Sequence, residues 1–227
     1  MENQERMFLR MSDVGISLAA AGKYEHPLSR IELQKFVYLL DIVAYLYEIL
    51  PPREGHVTYK RGPYDFAIQN AADSLAFRGL IDIVSIKQRK QGEIQTRYIL
   101  NSSGKRWLGQ IIEWRPFIAK WEAALSIAKK INQLGWDHIV RLVYSEPTFI
   151  DRKTFGYGQR LEPYNGLENT AASFFRIITH GLTYGFDNNL PNEELLIKLF
   201  IRYLDEFSRA SDIRFGSSPE NPLMELK

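Results

Sequence analysis

The sequence predicts a mainly α-helical protein that carries one β-hairpin in its N-terminal half. Between Ile31 and Tyr47, apolar residues (Ile31, Leu33, Phe36, Val37, Leu40, Val43, Ala44, Tyr47) recur at three- and four-residue steps, the spacing of a buried helical face. Further on, Leu80–Ile86 and Ile94–Leu100 are rich in β-branched residues and flank a turn around Gln88–Gly92, which reads as a hairpin. Helices followed by a basic hairpin are in the order of a winged helix. The expected organisation is an N-terminal winged-helix domain over 1–113, a C-terminal helical bundle over 114–208 and a flexible tail over 209–227.

The elements follow from local chemistry. Met7–Ala21 places Phe8, Met11, Val14, Leu18 and Ala21 on one side of a first helix that Gly22 can end. Ser29 is a good N-cap for the second helix, and Glu32 three residues on completes a capping box. That helix should run to about Leu50, where Pro51-Pro52 breaks it. Gly62-Pro63 opens a third helix over Tyr64–Arg78, stopped by Gly79. Asn101-Ser102-Ser103-Gly104 is a turn and helix entry, followed by helices over Lys105–Glu113, Phe117–Leu134 and Trp136–Tyr144. Residues 148–168 read as loop, with Gly156-Tyr157-Gly158 a flexible part of it. Two more helices cover Asn169–Tyr184 and the stretch from the cap Asn192 to Ser208.

Composition narrows the function classes. The chain has 227 residues, 45% apolar, with a net charge of +2. It has no cysteine, which removes thiolate chemistry and suits a reducing compartment. The longest apolar run, Phe36–Leu50, is interrupted by Asp41 and Glu48 and is too short to span a membrane. A cytoplasmic protein is expected. Charge is uneven: Ile81–Trp107 holds six basic residues against two acidic ones, a local +4. Such a patch suits nucleic-acid backbone, although lysine is equally a device for blunting a sheet edge.

Known catalytic constellations are missing from the sequence. His26, His56, His138 and His180 form no pair at metal-ligand spacing, and there is no phosphate loop, nucleophile elbow or dinucleotide fingerprint. Glu32, Asp41, Asp82, Glu93 and Asp187 sit in no evident polar cluster, and Glu193-Glu194 suit the first turn of a helix. No catalytic residue, metal ligand or cofactor is expected. The turn Tyr59-Lys60-Arg61-Gly62-Pro63-Tyr64 admits two readings. It is either a structural turn or a helix start whose flanking cations face a phosphate. Within Tyr64–Arg78, Asp65 and Asp73 would repel phosphate, so any DNA contact should come from the hairpin. Candidate nucleic-acid contacts are therefore Lys60, Arg61, Lys87, Arg89, Lys90, Arg97, Lys105 and Arg106. On the last helix, Leu195, Leu199, Tyr203 and Phe207 are candidate partner contacts.

Three segments carry a family resemblance: Leu33-Gln34-Lys35-Phe36-Val37-Tyr38-Leu39, Tyr59-Lys60-Arg61-Gly62-Pro63-Tyr64-Asp65 and Leu75-Ala76-Phe77-Arg78-Gly79-Leu80-Ile81. Over about residues 28–100 the chain resembles bacterial winged-helix proteins of two related branches. One is the middle component of three-component ABC/SMC-like ATPase systems, including the accessory subunit of Lamassu-type defence complexes. The other is the Panacea and SocA-like antitoxin group. Lys60-Arg61 stands where related proteins often place an aromatic residue beside Gly-Pro, and the long helical half favours the first branch. The resemblance implies a non-catalytic adaptor joining an SMC-like ATPase to an effector nuclease in anti-phage or anti-plasmid defence, with DNA backbone as a further contact. A winged-helix DNA-binding regulator or antitoxin is the alternative.

Overall fold

Residues 2–47, 55–88, 94–161, 170–185 and 192–214 are described by the computed structural model. In chain order they form α1 (Glu2–Gly22), β1 (Leu28–Ser29), α2 (Arg30–Val43) with a 3-10 turn over Ala44–Tyr47, α3 (Phe66–Phe77), β2 (Ile81–Gln88) and β3 (Ile94–Leu100). The helices α4 (Ser102–Ile112), α5 (Arg115–Leu134), α6 (His138–Tyr144), α7 (Pro147–Lys153), α8 (Thr170–Gly185) and α9 (Glu193–Arg214) follow. The architecture is mainly helical with a small three-stranded antiparallel sheet in the order β1-β3-β2. No helix among the described residues is long and apolar enough to cross a membrane.

Helix ends follow the expected chemistry. At α2, Ser29 Oγ accepts from the Glu32 amide at 3.3 Å, and the Ser29 amide donates to Glu32 Oε2 at 2.6 Å, closing the capping box. Past the end of α3, Gly79 adopts φ +66; its amide donates to Ala76 O and the Leu80 amide to Leu75 O. This pair of bonds is a Schellman stop, and it needs a left-handed residue at that point. Asn101 Oδ1 caps α4 by accepting from the Gly104 amide at 3.0 Å, and Asn192 caps α9 through the Leu195 amide at 2.9 Å.

The central element is α2. Every residue from Glu32 to Val43 is buried, because α1, α3, α5, α6 and β3 surround it. The apolar stripe read from sequence is thus one side of a helix enclosed on all sides, and its polar residues Gln34, Lys35 and Asp41 need internal partners. One continuous apolar core runs from Met11 of α1 to Leu204 of α9, with α5 packed on both of those helices.

Several boundaries differ from the sequence reading. Asp65 is the N-cap of α3 rather than part of its face. Pro147–Lys153 is helical, since Pro147 sits in the first turn and Glu146 caps it. Gly156-Tyr157-Gly158 is not a free loop: Thr58 Oγ donates to Gly156 O and the Gly158 amide donates to Thr58 O, each at 2.8 Å. α9 continues through Arg214, so residues 209–214 are helix; the rest of the expected tail lies outside the described residues.

Candidate functional site

The enclosure of α2 produces two linked polar features. One is a buried ionic network. Arg10 of α1 is fully buried, and its guanidinium lies against Asp13 (Nη1 to Oδ2, 3.0 Å), Asp41 (Nη1 to Oδ2, 2.7 Å) and Asp65 (Nε to Oδ2, 2.9 Å). His56 Nε2 is 3.0 Å from Asp41 Oδ2, and Lys120 of α5 donates to Asp13 Oδ1 at 2.5 Å. Burial opposes the charge on Arg10, but Asp41, Asp13 and Asp65 outweigh it and hold its pKa above the ordinary value. Burial likewise opposes ionised Asp41, yet Arg10 and His56 push it down to about 2. Next to this network, Gln34 holds both the amide and the carbonyl of Asp65 at 2.9 Å, and Tyr38 donates to Glu146 Oε2 at 2.8 Å.

This cluster corrects the sequence reading of the carboxylates. Asp41 and Asp65 are in a cluster with Arg10 and His56, while Glu32 accepts from His26 Nε2 at 3.2 Å with Arg97 at 3.5 Å. The partners are far apart along the chain, so no spacing rule could have grouped them.

The other feature is open. A cleft of about 610 Å³ lies between the start of α2, the turn Tyr59–Gly62 and the β3 residues Gln95 and Thr96. Among the described residues that line it are Arg30, Lys35, Lys60 and Arg61, and none of those described is acidic. The turn is built by the Gly62 amide donating to Tyr59 O at 3.1 Å, closed by the Val57–Tyr64 bridge, and Gly62 takes φ +85. Lys35 forms the floor. It is 2% exposed, its Nζ donates to Pro63 O at 2.7 Å, and burial pushes its pKa down to about 7. A desolvated lysine against an open cleft lined by like charges is a feature of binding sites more than of cores.

Of the sequence candidates, the structure brings Lys60 and Arg61 together with two cations the sequence reading passed over, Arg30 and Lys35. Nothing local in the sequence joined them to that turn, because Arg30 and Lys35 lie far before it in the chain and Lys35 falls off the apolar stripe of α2. Arg97 serves the fold: its Nη1 donates to Pro27 O at 2.8 Å and faces Glu32. Lys105 lines a separate, more apolar cleft of about 560 Å³ with Lys23, Leu108 and Trp121. Arg106 is exposed and donates to Ser103 Oγ at 3.3 Å. Lys87 stands opposite Gln95 in the β2–β3 register, while Arg89 and Lys90 lie outside the described residues.

On α9, the middle of the stripe is core: Leu196, Phe200 and Leu204 are buried. The four candidates fall along its border. Leu195 and Phe207 are exposed at its two ends, Leu199 is half-buried, and Tyr203 stacks obliquely on Phe174 of α8 at 5.1 Å between ring centroids. A further apolar surface was not foreseen. Phe66 and Phe77 of α3 are 66% and 94% exposed, and Ile83, Val84 and Ile86 are exposed on β2, an outer strand of the sheet. No protein-family model matches the chain, and no significant similarity to a curated protein was found.

Proposed function

We propose that this chain is a non-catalytic adaptor, a winged-helix accessory subunit that bridges an SMC-like ATPase and an effector nuclease in a bacterial anti-phage or anti-plasmid complex. The winged-helix reading is supported by the succession α1-β1-α2-α3-β2-β3 and the strand order β1-β3-β2. In such an arrangement α3 takes the place of the recognition helix and β2–β3 the wing.

The observation that carries the adaptor reading is the character of α3. The helix Phe66–Phe77 contains no lysine or arginine, and it exposes Phe66 and Phe77. A helix that reads DNA needs cations for phosphate and polar groups for base edges. Exposed phenylalanines beside an apolar outer strand suit a protein partner, since aromatic residues anchor interfaces. Lys60 and Arg61 in the basic cleft would leave room for contact with DNA backbone held by the complex. They are also the observation that favours the alternative, a DNA-binding regulator or antitoxin.

The test is a tagged pull-down from source cells in moderate salt, comparing the native chain with Phe66→Asp/Phe77→Asp. The adaptor reading expects a coiled-coil ATPase, with or without a nuclease, lost in the variant while its circular dichroism is unchanged. Recovery of a small toxin, or of a DNA fragment with no protein, would replace it with the alternative.

A further inference from the structure

Lys35 is a buried nucleophile that an adaptor role leaves unused. We propose that its amine is a carbamylation site, which takes up carbon dioxide at the floor of the cleft between α2 and the 59–62 turn and turns the resulting carbamate toward Arg30 and Lys60.

The position of this lysine is unusual. It lies within the buried stretch of α2 from Glu32 to Val43 and is itself 2% exposed. Its Nζ donates to Pro63 O at 2.7 Å, and among the described residues that carbonyl is the group it bonds. A carbonyl accepts from a neutral amine as well as from an ammonium, so this contact holds the nitrogen without fixing its charge. Lys120, the other buried lysine among the described residues, is instead ion-paired with Asp13. Burial opposes the Lys35 ammonium and lowers its pKa to about 7, so much of the amine is neutral near neutral pH. A desolvated, neutral lysine is a nucleophile.

Access is from the cleft, which Lys35 lines. A Cβ on Gly62 would stand 2.8 Å from Nζ and 3.0 Å from Cε, so the glycine keeps the amine approachable from the turn. A side chain this enclosed selects a small electrophile, and carbon dioxide needs little room. The amine lone pair attacks its carbon and a C–N bond forms. One C=O π pair moves onto oxygen, and one N–H proton leaves to solvent in the cleft. Nothing is oxidised or reduced, and no further reagent is needed. The remaining N–H can keep its bond to Pro63 O. The two new oxygens accept charge-assisted hydrogen bonds, for which Arg30 and Lys60 on the same cleft supply donors.

The test equilibrates the full chain with isotopically labelled bicarbonate, traps carbamates as ethyl esters with triethyloxonium and maps the label by peptide mass spectrometry. At a pH of about 7.5, label at Lys35 should exceed that at the surface Lys129 by at least about tenfold, because an ordinary lysine, with a pKa of about 10.4, is almost wholly protonated there. Arg30→Ala/Lys60→Ala should lower the label at Lys35 by about threefold or more, with folding checked by circular dichroism. Bicarbonate should also raise the melting temperature of the native chain more than chloride does at equal ionic strength, a difference lost in Lys35→Met. Label at Lys35 that is absent, or no greater than at Lys129, overturns the proposal, and this mapping needs no variant. If Lys35 takes no label but is alkylated by formaldehyde and borohydride, the amine is reactive and the carbamate assignment is overturned. Label unchanged in Arg30→Ala/Lys60→Ala overturns the placement of the oxygens.

Discussion

Arg10 and Asp65, 55 positions apart, meet through a single carboxylate oxygen: Arg10 Nε donates to Asp65 Oδ2 at 2.9 Å and Nη2 lies 2.8 Å from the same atom. The other oxygen, Oδ1, accepts from the Ala67 amide at 2.8 Å. One aspartate therefore caps α3 and anchors it to α1. Removing one partner of a buried charge network leaves the rest uncompensated, which costs more than the pair contributes. Arg10→Met should thus lower stability by about 3–5 kcal/mol, read as a fall in the urea midpoint. Asp73→Asn, on the exposed side of α3 where Asp73 accepts from Gln69 at 2.7 Å, should change it by less than about 0.5 kcal/mol.

Acid should unfold the protein through the same network. Asp41 is pushed down to about 2 from an ordinary 3.8, because Arg10 and His56 outweigh the effect of burial. A carboxylate lowered on folding adds stability that is complete above its unfolded value and lost as pH falls toward its folded one. Asp41's contribution should be constant at neutral pH and vanish between about pH 4 and pH 2. Thermal melts across that window should show a steep decline, and a shallower one in Asp41→Asn, which starts from a lower stability.

Lys35 has the opposite sign. Burial lowers it to about 7 from 10.5, so between those values the unfolded chain holds more protons and stability rises with pH. Below pH 7 the folded protein carries the whole penalty of a desolvated ammonium. Lys35→Met should stabilise the chain by about 2 kcal/mol at pH 6, the usual direction when a buried charge gives way to an apolar residue. The gain should shrink toward pH 10, and a constant difference across that range would contradict the assignment.

Gly62 and Lys35 should be energetically coupled. Gly62→Ala meets two obstacles, a left-handed φ of +85 and the Lys35 ammonium close to the new Cβ. The backbone part costs about 1–2 kcal/mol for a residue with a Cβ. In Gly62→Ala/Lys35→Met the steric part can relax while the backbone part stays. A double-mutant cycle by urea denaturation should show favourable coupling of at least about 0.5 kcal/mol.

Much of the secondary structure was legible because its determinants are local. The capping box at Ser29 and Glu32, the stop at Gly79 and the cap at Asn192 each depend on residues within a few positions, and all three occur. Lys60 and Arg61 were expected to face the start of the helix after Gly62-Pro63, but that helix begins at Phe66, and the cleft they line lies at the start of α2 instead. Arg30 and Lys35 could not be joined to them, because the cleft exists only once the 59–62 turn folds back over α2 and β3 supplies the other wall.

By itself, the sequence determined the helical character, the hairpin, the starts of the helices capped at Ser29 and Asn192, and the stop at Gly79. Short-range hydrogen bonding and backbone conformation decide those features. Only the tertiary structure decided that α2 is buried from Glu32 to Val43, that Arg10 gathers Asp13, Asp41 and Asp65, and that Phe66 and Phe77 remain outside. Periodicity reports that a face is apolar, whereas burial and charge pairing depend on which elements come to cover it, and those come from distant parts of the chain.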